Sequence, residues 1–203
     1  MNMPEPPALP VLTDRSADIL NRIRSAFAEK GFDGASMQDL ARAAGMSVGN
    51  FYRYFPSKDA IIAAMAAYDM AEMEADFAAV QVSDDPLALI REKIRYKISD
   101  ACSDHGRLWS EITAAAQRRP EVAQISCGVE DVVAFNLVQV FARLAGVSPE
   151  AAQDRICVQV RFIILLVKAA AMRHASQPDP QVEELVLKTI DNVINDIISA
   201  ARE

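Results

Sequence analysis

Residues 36–58, SMQDLARAAGMSVGNFYRYFPSK, constrain this chain more than any other segment: two short runs of helical periodicity, a glycine turn between them and a cationic foot. Ser36 is a good N-cap, and Asp39 at the third helical position makes a capping box with Asp in place of Glu or Gln. Met37, Leu40, Ala41 and Ala44 recur at helical spacing. Gly45 can take the left-handed conformation that stops a helix, so Ala44-Gly45-Met46 reads as the turn. Ser47 then caps a second helix of roughly two turns, about 10 Å long, short enough to lie along a DNA major groove. Helix, tight turn and short second helix together have the form of a helix-turn-helix that reads DNA.

At 100° per residue, Val48, Phe51 and Phe55 are expected on the inward side of the second helix, with Gly49, Asn50, Tyr52 and Arg53 spread over the other. The outward set suits nucleic acid. Gly49 permits close backbone approach, Asn50 can donate and accept, and Arg53 can contact phosphate or guanine. Tyr52 and Tyr54 each carry a hydroxyl on a rigid ring. Lys58 lies just past Ser57, the expected cap of the next helix, so its ammonium and that helix's positive end are expected to hold one phosphate. The reading set is thus Gly49, Asn50 and Arg53, with Gln38 on the first helix. The expected phosphate contacts are Ser36, Tyr52, Tyr54 and Lys58, and Ser47 and Val48 complete the DNA-facing group.

In these residues the segment resembles the N-terminal DNA-binding domain of the TetR family of one-component bacterial transcription regulators. The matching positions are Ser36, Leu40-Ala41, Ala44-Gly45-Met46-Ser47, Gly49, Tyr52-Arg53-Tyr54-Phe55 and Lys58. Ser36 stands where Thr is commoner and Met46 where Val is commoner. Val48 occupies a position often polar or basic in the family, which leaves thymine-methyl packing, sugar-phosphate packing or no contact as its role. The resemblance covers about the first 70 residues; beyond them it rests on length and helix pattern.

It implies a ligand-responsive regulator, most often a repressor, that binds a palindromic double-stranded operator as a homodimer and is released by a small-molecule effector. Each protomer's last two helices, 8 and 9, would form a four-helix bundle with its partner's, setting the reading helices about 34 to 36 Å apart. An effector pocket is implied among helices 4 to 8, with Met65, Tyr68, Tyr96, Trp109, Phe135, Phe162 and Met172 as candidate lining, each of which can equally be plain core. A DNA-binding protein without an effector, regulated by a protein partner, is the alternative.

The rest of the chain fits an all-α architecture, since no period-two pattern bounded by turns is present. The expected division is a tail over 1–12, a helix-turn-helix domain over 13–58 and a helical effector-binding and dimerisation domain over 59–203. Helix 1 should run over about 14–30 with Ile19, Leu20, Ile23, Ala26 and Phe27 inside, ending at Gly31 with Phe32 packed back on Phe27. Helix 4 should run from Lys58 to about Val80. Later helices read as 86–104, 107–118, 121–145, 149–175 and 180–201, marked by Gly106, Pro120, Gly146 with Pro149, and Pro178 with Pro180. Ile156, Val160, Ile163, Ile164 and Val167 on helix 8, and the Val, Leu and Ile run of helix 9, look too apolar for a monomer unless they close the internal core.

The formal net charge of −7 is unevenly distributed. Through residue 60, Arg15, Arg22, Arg24, Lys30, Arg42, Arg53 and Lys58 balance seven acids, so the deficit lies beyond. An acidic protein, with a pI near 4.9, is not an indiscriminate nucleic-acid coat. Cys102, Cys127 and Cys157 are odd in number and widely spaced, as for reduced thiols in a cytoplasmic protein. Cys102 with His105, and distant His174, lack the further ligands a metal needs. No cofactor is implied, and no Gly-x-Ser-x-Gly, His-Glu-x-x-His or phosphate-cradling loop suggests an enzyme. The proline-rich start reads as a tail rather than a signal peptide, and the apolar run 162–167 is far too short to span a bilayer.

Overall fold

The computed structural model describes residues 9–99 and 103–202; residues 1–8 of the expected tail and Cys102 lie outside them. Among the described residues there are nine helices and no strand. They are α1 (Asp14–Gly34), α2 (Met37–Ala43), α3 (Val48–Tyr54), α4 (Lys58–Val82), α5 (Pro86–Ile98), α6 (Ser103–Ala116), α7 (Pro120–Ala145), α8 (Pro149–Ser176) and α9 (Pro180–Arg202). They fall into two compact units that do not follow chain order, because 107–129 folds with 9–73, while 74–99, 103–106 and 130–202 form the other.

In the first unit, Ile19, Leu20, Ile23 and Phe27 of α1 close on Leu40 and Ala41 of α2, on Phe51 and Phe55, and on Ile61, Ile62 and Met65 of α4. Leu108 and Ala115 of α6 and Val122 of α7 join the same core. Each fully buried Phe or Ile is worth about 1.5 to 3 kcal/mol, so a seven-residue α3 that could not stand alone is held by Phe51 and Phe55. α1 breaks where expected. Gly31 takes φ 72°, and the Phe32 ring turns back to meet Phe27 edge-on at 6.0 Å.

The second unit is built on Ile90 and Ile98 of α5, Leu137, Val138 and Phe141 of α7, Ile156, Val160 and Ile163 of α8, and Ile190, Ile194 and Ile197 of α9. The α8 and α9 stripes that look excessive in sequence are therefore mostly internal core. On α8 the outward apolar residues are different ones, whereas on α9 they are the first members of the expected run. Val158, Phe162 and Leu165 of α8 are 77%, 42% and 60% exposed, and Val182 and Leu185 of α9 are also exposed. α7, 26 residues long, is long and apolar enough to cross a membrane by length and composition alone, and it buries Val132, Ala134, Leu137, Val138, Val140 and Phe141.

Gly106 is a second correction. It does not separate two helices: α5 ends at Ile98 with Ser99 as its cap, and Gly106 lies inside α6. A Cβ at this position would sit 2.2 Å from the Ala171 carbonyl oxygen. The residue is glycine because two backbones meet there.

Candidate nucleic-acid interface

The caps of the α2–α3 motif form as their sequence dictates. Ser36 Oγ accepts the Asp39 N–H at 3.1 Å, and Ser47 Oγ accepts the Asn50 N–H at 3.4 Å. Gly45 has φ 68°, and the Met46 N–H closes the turn on the Ala41 carbonyl at 2.9 Å. Lys30 reaches the Asp39 carboxylate at 2.8 Å. This ion pair, followed by the Ser36 hydroxyl and amide, holds the Asp39 carboxyl well below the usual carboxylate range.

α3 presents one face to the core and the other to solvent. Phe51 and Phe55 are buried, while Ser47, Val48, Gly49, Asn50, Tyr52, Arg53 and Tyr54 are exposed. On the helical wheel the point opposite Phe51 falls between Gly49 and Arg53. Val48 and Tyr52 flank it on one side and Asn50 and Tyr54 on the other. Among the described residues, the side chains of Gln38, Asn50, Tyr52, Arg53 and Tyr54 meet no hydrogen-bonding or ionic partner. Other cations of the same unit are held: Arg24 by Asp69, Arg118 by Asp33 at 2.9 Å and Arg119 by Asp59 at 3.4 Å. A guanidinium and two phenols on one outward face, with a side-chain-free glycine between them, are what a phosphate-lined groove can engage.

Three residues differ from their sequence reading. Val48, inward by periodicity yet also placed in the DNA-facing group, is 36% exposed, because Phe51 and Phe55 already fill the anchoring side. Ser36 directs both its donors into its own cap, hydroxyl and amide donating to Asp39 Oδ2 at 2.6 and 3.2 Å. Its donors therefore complete α2 and do not point at a phosphate. Lys58 Nζ donates to the carbonyls of Phe32 at 2.7 Å and Asp33 at 3.3 Å, and lies 5.3 Å from the Phe32 ring centre. It ties the end of α1 to the start of α4.

α6 and the turn that follows it brace the end of α1. Glu111 Oε2 accepts the Phe32 N–H at 2.9 Å just past the Gly31 break, and the Arg119 guanidinium stacks 4.4 Å over the Phe32 ring. No local signal announces either contact, since their partners lie far apart in sequence.

The seven candidate pocket residues divide between the units. In the first, Met65 is fully buried core, the Tyr68 hydroxyl accepts from Asn21 at 3.4 Å, and Trp109 is half-buried. In the second, Phe135 and Met172 are half-buried, whereas Tyr96 and Phe162 are 51% and 42% exposed. Phe162 belongs with Val158 and Leu165 on the outer strip of α8, one turn to either side, and not with a pocket lining. A charged, open depression of about 540 Å³, lined by Arg95, Glu183, Glu184, Lys188 and Asp191, lies against α5 and α9 and includes none of the seven.

Comparison with known proteins places this geometry in a lineage. Residues 19–65, from α1 into α4, match the profile of the bacterial regulatory proteins of the tetR family. The HTH-type transcriptional repressor Rv1474c of Mycobacterium tuberculosis is 41% identical over 64 residues, 32% of this chain and 34% of that protein. The HTH-type transcriptional repressor AcnR of Corynebacterium diphtheriae is 36% identical over 80 residues, 38% of this chain and 42% of that protein. The chain thus spans well under half the length of these curated relatives.

Solved structures extend the likeness to the whole fold, at identities that speak for fold alone. A transcriptional regulator from Rhodococcus superposes with TM-score 0.69 at 18% identity, over 94% of this chain and 99% of that one. The repressor FadR of Thermus thermophilus, in complex with lauroyl-CoA, superposes with TM-score 0.58 at 17% identity, over 89% and 93%. With its capped α2–turn–α3 motif and its outward tyrosine and arginine face, the segment 19–65 carries the DNA-binding signature of the bacterial regulatory proteins of the tetR family, and the all-helical remainder shares the fold of the solved regulators.

Proposed function

We propose that the chain is a cytoplasmic transcriptional repressor that binds a palindromic DNA operator through α3 and leaves it when a small molecule binds the helical remainder. The observation that carries this reading is the outward face of α3, where the side chains of Asn50, Tyr52, Arg53 and Tyr54 surround Gly49 with no hydrogen-bonding or ionic partner among the described residues. Arg53 and Asn50 are assigned to bases, Tyr52 and Tyr54 to phosphates, and Gln38 and Ser47 to the groove edge. Lys58 acts indirectly, by fixing α1 against α4.

The operator is read by two copies. Val158, Phe162 and Leu165 on α8, with Val182 and Leu185 on α9, leave large apolar side chains in water on the two helices expected to pair. An apolar strip of this kind supports an isologous two-fold interface. The effector is a small molecule taken up by the helical remainder; the structurally similar FadR of Thermus thermophilus has been solved in complex with lauroyl-CoA. Footprinting on the DNA flanking the protein's own gene, repeated with candidate compounds, tests the whole reading. A two-fold symmetric footprint lost on adding one compound is expected, and a footprint without two-fold symmetry, or none, contradicts it.

A further inference from the structure

We propose that Val48 reads the 5-methyl group of a thymine in each operator half-site. The inference rests on the DNA-binding reading above and names one base for it.

Three features of α3 lead there. Val48 is the first helical residue and is 36% exposed, on the same flank of the outward face as Tyr52, which lies one turn on and is 47% exposed. A single exposed valine is ordinary on a protein surface. This one, however, adjoins Gly49, where an added Cβ would have nothing within 4 Å. Neither crowding nor a positive φ requires glycine at 49, and glycine weakens a helix relative to alanine. Gly49 leaves the α3 backbone open to a partner approaching from outside, next to Val48 in the chain.

A valine offers neither donor nor acceptor, so it cannot satisfy the polar base edges that such an approach would strip of water. The apolar group on the floor of the major groove is the thymine 5-methyl. The branched side chain is stiff about χ1 and needs no further ordering to meet it. The Tyr52 ring forms the second wall of the contact, leaving its hydroxyl for the backbone beyond.

The test uses an operator duplex obtained by selection from random DNA. Each thymine is replaced in turn by deoxyuridine, symmetrically in both half-sites, which removes one methyl and nothing else. Affinity is measured by fluorescence anisotropy for the wild-type chain and for Val48→Ala, with circular dichroism melts to check that the variant folds. One symmetric pair of positions should weaken wild-type binding about fourfold per half-site, the effect of unburying one methyl-sized group. The same replacement should leave Val48→Ala unaffected, and Val48→Ile should keep the sensitivity. If no thymine shows an effect that disappears in Val48→Ala, the proposal is overturned. Uniform weakening of Val48→Ala on every sequence also overturns it, since that marks sugar-phosphate packing. Failure of the wild-type chain to select or bind any duplex instead overturns the DNA-binding reading, and this proposal with it.

Discussion

Gly49→Ala separates a residue kept for a partner from one kept for the fold. The Cβ at this position points into open space, with nothing within 4 Å, and the backbone is ordinary right-handed helix, Gly49 not being among the positive-φ glycines. Alanine should therefore stabilise the chain by about 0.5 to 1 kcal/mol, through helix propensity and the smaller entropy of its unfolded state. For a protein of this size that is a rise in Tm of about 1 to 4 °C. The same methyl lies at the centre of the face assigned to the groove, between Val48 with Tyr52 and Asn50 with Tyr54. Holding α3 off its bases should cost about 1 to 3 kcal/mol per half-site, the worth of one good base contact, so operator affinity should fall at least tenfold. Thermal melts and mobility-shift titrations on the same preparations read both quantities. A Tm that falls by several degrees would refute the claim that the fold leaves room at Gly49. A Tm that rises with unchanged affinity would refute the claim that DNA occupies that room.

Gly106→Ala should behave oppositely, because its Cβ would meet the Ala171 carbonyl oxygen at 2.2 Å. Forcing α6 from α8 should cost about 1 to 3 kcal/mol, read as a lowered denaturation midpoint. Lys58→Ala removes two charge-assisted hydrogen bonds to the end of α1. It should lower stability by about 1 to 2 kcal/mol, with operator affinity falling only as α1 and α4 loosen; a chain that melts normally but binds poorly would return Lys58 to the phosphate set. Asp39 is held below the usual carboxylate range by Lys30 and Ser36. A depressed folded value means that this stabilisation is complete above the ordinary Asp value near 4 and is lost as pH falls through the folded one. Acid melts of Asp39→Asn should accordingly lose stability less steeply below about pH 4 than those of the wild type, and parallel curves would count against the capping pair. Phe162→Glu, on the outer strip of α8, should give a monomer by light scattering at micromolar concentration while its melt stays near wild type.

What could be read from the sequence follows the range of the interactions. The caps at Ser36 and Ser47, the turn at Gly45 and the break at Gly31 are set within four residues and form as expected. Phe51 and Phe55 were legible because a two-turn helix with two aromatics on one side has one way to bury them. Val48 was not, since a helix that short does not fix how wide its buried face is. Gly106 looked like a stop signal, and only the backbone of Ala171, 65 residues on, explains it. Lys58 similarly read as a free cation because its acceptors lie 26 and 25 residues back in the chain. The outward strip of α8 was hidden because the inward stripe, Ile156, Val160 and Ile163, dominates the same periodicity.

Selection from a random-sequence duplex library shows whether α3 reads operator DNA through the face around Gly49. Wild-type chain and Arg53→Ala are compared side by side. The wild type should enrich an inverted repeat with half-site centres about one helical turn apart, and Arg53→Ala should lose or alter the preferred base at one symmetric position. Enrichment of no motif by the wild-type chain, or of the same motif with equal strength by both, would contradict that reading.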